Sequence, residues 1–165
     1  MLGVGRPPSG KSYRWHGDGS EVACYPVALL RCRSCALVEL TVTIPPRQLF
    51  DTYGNFSSYS STMVDSMRLL AKRLTAERGL SAHDLVVEIA SNDGYLLRHY
   101  LELGITGLGV EPAQNVAKVD RETGVPTLTE YFSRSMGSEL ACSGSTAATL
   151  RASHVTATVP ESIEC

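Results

Sequence analysis

The clearest hydrophobic signal in the chain is the run Leu85-Val86-Val87, broken only by Glu88 before Ile89. β-Branched residues in an almost unbroken apolar stretch predict a strand covered on both faces. The run closes on Asn92-Asp93-Gly94. This is turn chemistry, because Asn and Asp bond their own backbone and Gly accepts positive φ. Tyr95 to Leu103 predicts a helix, with Leu96, Leu97, Tyr100 and Leu101 on one face and Gly104 as its stop. A second apolar segment, Gly107-Leu108-Gly109-Val110, then ends at Glu111. Strand, turn, helix and strand make a βαβ unit, which closes right-handed over a parallel sheet. The predicted class is therefore α/β.

Other elements follow from the same periodicities. Ser61–Arg78 predicts a helix carrying Met63, Val64, Met67, Leu70, Ala71 and Leu74 at helical spacing. Ser60 or Ser61 caps it, Gly79 ends it, and its methionines read as core. Gln114-Asn115-Val116-Ala117 opens a second crossover helix behind Pro112, and Gly124-Val125-Pro126-Thr127 leads into a third short strand ending near Phe132. Beyond Phe132 the chain is crowded with Ser, Thr and Ala and predicts no buried strand. His83 reads as a surface residue and His99 as a solvated one in mid-helix.

Ligands of parallel sheets sit at the carboxyl ends of the strands, and Glu88 and Glu111 both lie there. A carboxylate at the second strand's tip suits the two hydroxyls of a ribose, at the spacing of roughly 20 residues expected for that role. The first turn reads A-S-N-D-G, without the G-x-G-x-x-G that seats a pyrophosphate. Glu88 and Asp93 would repel a pyrophosphate and attract an amino group or a sulfonium. The sign of the charge thus favours S-adenosylmethionine over a nicotinamide dinucleotide.

Composition narrows the classes further. The 165 residues suit one ordinary domain, or a small module plus most of another, and 43% hydrophobic residues supply a core. A net charge of −2 offers no field for nucleic acid or an anionic membrane. No apolar run reaches the roughly 20 residues of a membrane span, and the start lacks a secretory h-region, so the expectation is cytoplasmic. Gly5 to Ser12 spells G-x-x-x-x-G-K-S, but with no strand before it, no helix after it and Pro7-Pro8 within it, the match reads as chance. Five cysteines include Cys32-Arg33-Ser34-Cys35, which looks like one knuckle of a zinc ribbon. Zinc needs four ligands; Cys24 and His16 are the other candidates, and two free thiols are the alternative. Pro45-Pro46 marks a boundary between modules.

The segments VVEIASNDGYLL and GLGVEPAQNVA resemble the class I methyltransferases that C-methylate nucleotide-activated deoxysugars in antibiotic biosynthesis. Those proteins carry E-I-G-S-N-D-G-Y-L-L and G-V-E-P-A-x-N-V-A. They also carry Y-P-L-x-L-x-x-C-x-x-C-G-L-V-Q-L and L-F-x-x-Y-x-Y-x-S-S-x-S, matched here by Tyr25–Leu40 and Leu49–Ser61. The resemblance runs from Tyr25 to about Phe132 and covers the N-terminal part of that family only. It implies a partial zinc-ribbon-like module over 21–48 and the start of a Rossmann-like methyltransferase sheet over 49–132; outside it, Gly-, Pro- and Ser-rich composition predicts a flexible arm over 1–20, and the unmatched stretch 133–165 is expected to be an atypical, poorly ordered tail. It implies a cofactor site of Glu88, Ser91, Asn92, Asp93, Gly94, Glu111, Pro112 and Asn115, with Tyr53 and Ser58 from a loop above it. It implies zinc at Cys32 and Cys35, although the family's first C-x-x-C has no counterpart here.

The implied reaction removes the acidic proton beside the keto group of a nucleotide-linked 4-keto-deoxysugar. The enolate carbon then takes the methyl from the sulfonium of S-adenosylmethionine. No residue in the chain presents itself as the catalytic base, and the expectation is a shortened enzyme. A non-catalytic adenosyl-binding or interaction module is the alternative, and a nicotinamide-dependent α/β protein is a weaker one. The sequence is silent on which sugar, which carbon and which oligomeric state.

Overall fold

The computed structural model describes residues 2–8, 16–17, 19, 21–142 and 147–152. It divides into two units, Met1–Leu49 and Phe50–Cys165.

The first unit is a three-stranded antiparallel sheet of β1 (Leu2–Gly5), β2 (Val27–Arg31) and β3 (Val38–Leu40), in that spatial order. Leu2–Gly5 lies in the segment expected to be a flexible arm, yet it pairs with β2 through a register shift between Gly3 and Gly5. An edge strand needs only backbone partners, which glycine-rich composition does not reveal. Cys32 N–H donates to Leu37 O at 2.8 Å and Ala36 N–H to Cys32 O at 3.1 Å, closing the β2–β3 turn. Ala36 sits there at φ 61. No described residue of this unit is buried, because three short strands cannot enclose a core. Pro46 opens the short helix α1 (Pro46–Phe50), where its missing N–H costs nothing.

The second unit is built on a parallel sheet with the order β6-β5-β4-β7. Its strands are β4 (Leu85–Ile89), β5 (Thr106–Val110), β6 (Thr127–Leu128) and β7 (Ala147–Ala152). The helices are α2 (Ser61–Arg78), α3 (Leu97–Glu102), α4 (Gln114–Glu122) and α5 (Arg134–Cys142). On one face Val86 packs with Ala71 of α2 and with Leu96, Leu97 and Tyr100 around α3. On the other, Val87 and Val110 pack with Met136 of α5. The strand alternation predicted from the apolar run is thus used on both faces.

α2 has the bounds its periodicity predicts. Ser60 Oγ accepts from Met63 N–H, and Gly79 takes the left-handed conformation at φ 63. Met67 joins the core, but Met63 is exposed, a turn too far from α3. α3 starts two residues later than predicted, because Tyr95 and Leu96 continue the turn. α4 is capped at Ala113, so Pro112 lies outside it rather than at its first position.

The largest difference lies past Phe132. The helix α5 forms there, and Ala147–Ala152 pairs in parallel with β4. A polar Ser/Thr/Ala stretch masked both. The free edge of β4, not the composition of β7, supplies the reason for a strand. The rest of the expected tail, 153–165, lies outside the described residues. A variant ending at Cys142 should unfold at lower urea and lose amide protection over Leu85–Ile89, read by denaturation and hydrogen exchange. Unchanged protection would remove β7 from the sheet.

Candidate functional site

β4 and β5 run level, with Glu88 opposite Gly109 and Ile89 opposite Val110. The chain then turns sharply at residues 90–94, where Ala90, Asn92 and Gly94 take φ values of 55, 56 and 70. Alternating left-handed residues aim successive N–H groups inward and make an anion-seeking hollow. Glu111 fills it. Its Oε2 accepts Asn92 N–H at 3.0 Å, and its Oε1 accepts Ala113 N–H at 2.9 Å. A carboxylate offers about four acceptor positions, so Glu111 binds the first turn to the second and keeps acceptor capacity.

A polar segment straps across this turn. Ser57 N–H donates to Asn92 Oδ1 at 2.8 Å, and Asn92 Nδ2 donates to Asn55 O at 3.0 Å. Ser58 N–H donates to the Asp93 carboxylate, with Oδ2 at 3.1 Å. Tyr53 N–H donates to Asn115 Oδ1 at 3.0 Å, and Asn115 Nδ2 donates to Tyr53 O at 2.7 Å. Two asparagines therefore act as backbone mimics and hold the strap at both ends.

The structure thus brings Tyr53, Ser58, Ser91, Asn92, Asp93, Gly94, Glu111 and Asn115 together, largely through bonds among themselves. Pro112 sits beside them, between Glu111 and the Ala113 cap. Glu88 is placed differently from its neighbours. It is fully buried, its two oxygens have no hydrogen-bond partner among the described residues, and it stands in register with Arg151 of β7. His99 is also buried, against the expectation of a solvated helix residue; its Nδ1 lies 3.1 Å from Glu102 Oε2. It shares its burial with Leu97 and Tyr100 of the same short helix. His83 is exposed.

The electrostatics are one-sided. Glu88, Asp93, Glu111 and Asp120 are all buried around the turn. Burial drives the Glu88 carboxyl well above its ordinary range; Arg151 opposes this, and Asp120, Glu111 and Asp93 reinforce it. Sequence reasoning gave Asp120 no role. Its one signal was an acid on the helix face that carries Val116 and Ala117, three and four residues away. Arg151 had no signal, since its strand was not recognised.

No family model matches the chain. It is similar to the C-methyltransferase NovU of Streptomyces niveus. The two are 34% identical over 124 residues, which is 75% of this chain and 30% of that protein. The chain therefore spans less than a third of the length of the relative it matches.

Cys32 and Cys35 stand on the β2–β3 turn. Backbone N–H groups of Cys35 and Ser34, and the Cys35 thiol, point at the Cys32 sulfur and lower its pKa. Among the described residues, no group of three or more His, Cys, Asp or Glu is arranged to hold a metal. Among the described residues the expected zinc site therefore stops at one knuckle, half of a four-ligand set. Cys24 is exposed in an isolated bridge to Pro8, and His16 is exposed.

The raised proton affinity of Glu88 has a stability consequence. An acid that holds its proton more tightly folded than unfolded stabilises the fold below its ordinary value of 4.5, and that contribution is lost as pH rises. Glu88→Gln should match the parent near pH 4 and exceed its stability above pH 7 by roughly 1–3 kcal/mol, since each tenfold gain in proton affinity is worth about 1.4 kcal/mol. Urea denaturation at the two pH values reads this. A destabilised variant at pH 8 would mean that Glu88 is ionised against Arg151. Gly94→Ala should cost roughly 2–4 kcal/mol, because it combines left-handed strain with an overlap between the new Cβ and Asp120 Oδ1. Thermal melting of the variant tests it.

Proposed function

We propose that this chain carries the cofactor-holding part of an S-adenosylmethionine-dependent C-methyltransferase acting on a nucleotide-linked keto-deoxysugar. The observation that supports it most is the Glu111 carboxylate, fixed at the tip of β5 beside the β4–α3 turn. The similarity to NovU points the same way.

The donor set fits this group. The turn's N–H groups are already used by Val110, Glu111 and Ser91, so little remains to hold a pyrophosphate. Acceptors are in surplus: Glu88 Oε1 and Oε2 and Asp120 Oδ1 are buried without partners. A surplus of buried acceptors suits hydroxyls and a cation, and disfavours a dianion.

In this reading Glu111 takes the ribose hydroxyls, and Asn92 with Asp93 faces the amino-acid end. Tyr53 and Ser58 cover the site from the strap, and Asn115 sets the strap's position. Glu88 lies beneath the turn as a buried carboxyl that holds its proton tightly. The bound group supplies an electrophilic methyl on a sulfonium, while the chain's own residues align it and exclude water. A full negative charge against the sulfonium would hinder methyl transfer. Charges placed at the ribose and the amino-acid end avoid that conflict. The sugar is held and deprotonated by groups other than those assigned here.

Calorimetric titration with S-adenosylhomocysteine tests the proposal. Binding should occur, and Glu111→Ala should weaken it at least tenfold, since each hydrogen bond to a charged group is worth about 1.5–3 kcal/mol. Glu111→Gln, which keeps one acceptor, should lose less. No binding heat with the parent chain, or equal affinity in all three proteins, would overturn the reading.

A further inference from the structure

Asp120 is the buried carboxylate that the site above does not use. It projects from α4 into the space under the β4–α3 turn and is fully buried. Its Oδ2 accepts Ser91 Oγ–H at 2.9 Å and Thr127 Oγ1–H at 2.7 Å. One carboxylate oxygen therefore joins the turn, the crossover helix and β6. Its Oδ1 is buried with no partner among the described residues and lies against Gly94.

Two glycines make room for this arrangement. A Cβ at Gly94 would overlap Asp120 Oδ1. A Cβ at Gly109 would overlap Ser91 Oγ and come within 3.0 Å of Asp120 Oδ2. The chain has given up side chains on two elements to seat one acid. A group that merely filled space would not need an unpartnered charged oxygen there.

We propose that Asp120 is a positioning residue for the ligand-bearing turn, and that its charge is thermodynamically linked to the positive charge of the ligand. The linkage rests on the adenosyl reading above; the positioning does not. The groups facing Asp120 are Glu88 of β4, Asp93 of the turn and Glu111 beyond β5. The nearby cations point elsewhere. Arg98 bonds the carbonyls of Asp93 and Gly94, Arg121 bonds Thr127 O and Thr129, and Arg151 acts on Glu88. Asp120 thus lacks a cation of its own, and burial raises its pKa to about 6 against the pull of its two hydroxyl donors.

The sign of the linkage follows. A sulfonium or ammonium entering beside these acids favours ionised Asp120. Binding therefore releases a proton, and affinity rises as pH rises through 6. If the bound ligand lowers the proton affinity of Asp120 by one unit, affinity changes about fivefold between pH 5 and pH 7.5. In the free chain the opposite holds for stability. The proton bound by Asp120 stabilises the fold below 3.8, and that contribution fades as pH rises toward 6.

Asp120→Asn keeps the shape and the acceptor for both hydroxyls but cannot ionise; Ser91→Ala removes one arm of the tie. The parent and both variants are titrated with S-adenosylmethionine from pH 5 to pH 7.5. Thermal melts are recorded over pH 4 to pH 7.5, and amide exchange at residues 91–94 is measured without ligand. The parent should bind about fivefold tighter at the upper pH, and Asp120→Asn should be flat. Its melting temperature should also fall less between pH 4 and pH 6, the remaining fall being that of Glu88. Ser91→Ala should exchange faster at 91–94 while keeping the pH step. Parent and Asp120→Asn profiles that superimpose in melting would overturn the role of Asp120. Unchanged exchange in Ser91→Ala would overturn the positioning. Absence of binding by every protein at every pH would overturn the adenosyl reading and the linkage, while the melts and exchange still judge the tie itself.

Discussion

The Glu111 carboxylate is the constraint on which the second unit turns. The chain leaves β4 through three residues in the left-handed region, a conformation that L-residues other than glycine resist. Such a turn persists only when its surroundings hold it. Glu111 does this by accepting an N–H from the turn and another from Ala113, so the ends of two adjacent parallel strands share one anion. The group best placed to meet a ligand is the same group that holds the local backbone. Site geometry and turn stability are therefore one problem in this unit.

Around that centre, polar side chains replace regular structure. Asn92 and Asn115 each donate to and accept from the backbone of the segment near residues 53–57, as a neighbouring strand would. Asp93 adds a charged acceptor for Ser58 N–H. Backbone groups of an irregular loop must find partners somewhere, and here they find them on the residues predicted to touch a ligand. The strap thus takes up acceptors that the proposed ligand would also need.

The cost of this arrangement is accumulated negative charge. Four carboxylates lie buried around one turn, and their cations are either engaged elsewhere or supplied late in the chain by Arg151. Protons take the place of missing cations, which is why burial raises the proton affinity of Glu88 and Asp120 together. Carboxyls gathered in this way favour a cation over an anion beside the turn.

The apolar run at Leu85–Ile89, the capping residues of α2 and the Asn-Asp-Gly turn were legible in sequence because each is a local preference. Hydrophobic period, a serine cap and a glycine stop act over a few residues and leave a local mark. The acid at the tip of β5 was legible for the same reason: it ends an apolar segment. Three features were not. β7 depends on the open edge of β4, α3 buries His99 because of what packs over it, and Asp120 meets Ser91 and Thr127 across 29 and 7 residues. Sequence alone determined which segments fold and where charge falls along them. Only the tertiary structure decided which charges meet, because a carboxylate's partner and its proton affinity are set by burial and distance rather than by order in the chain.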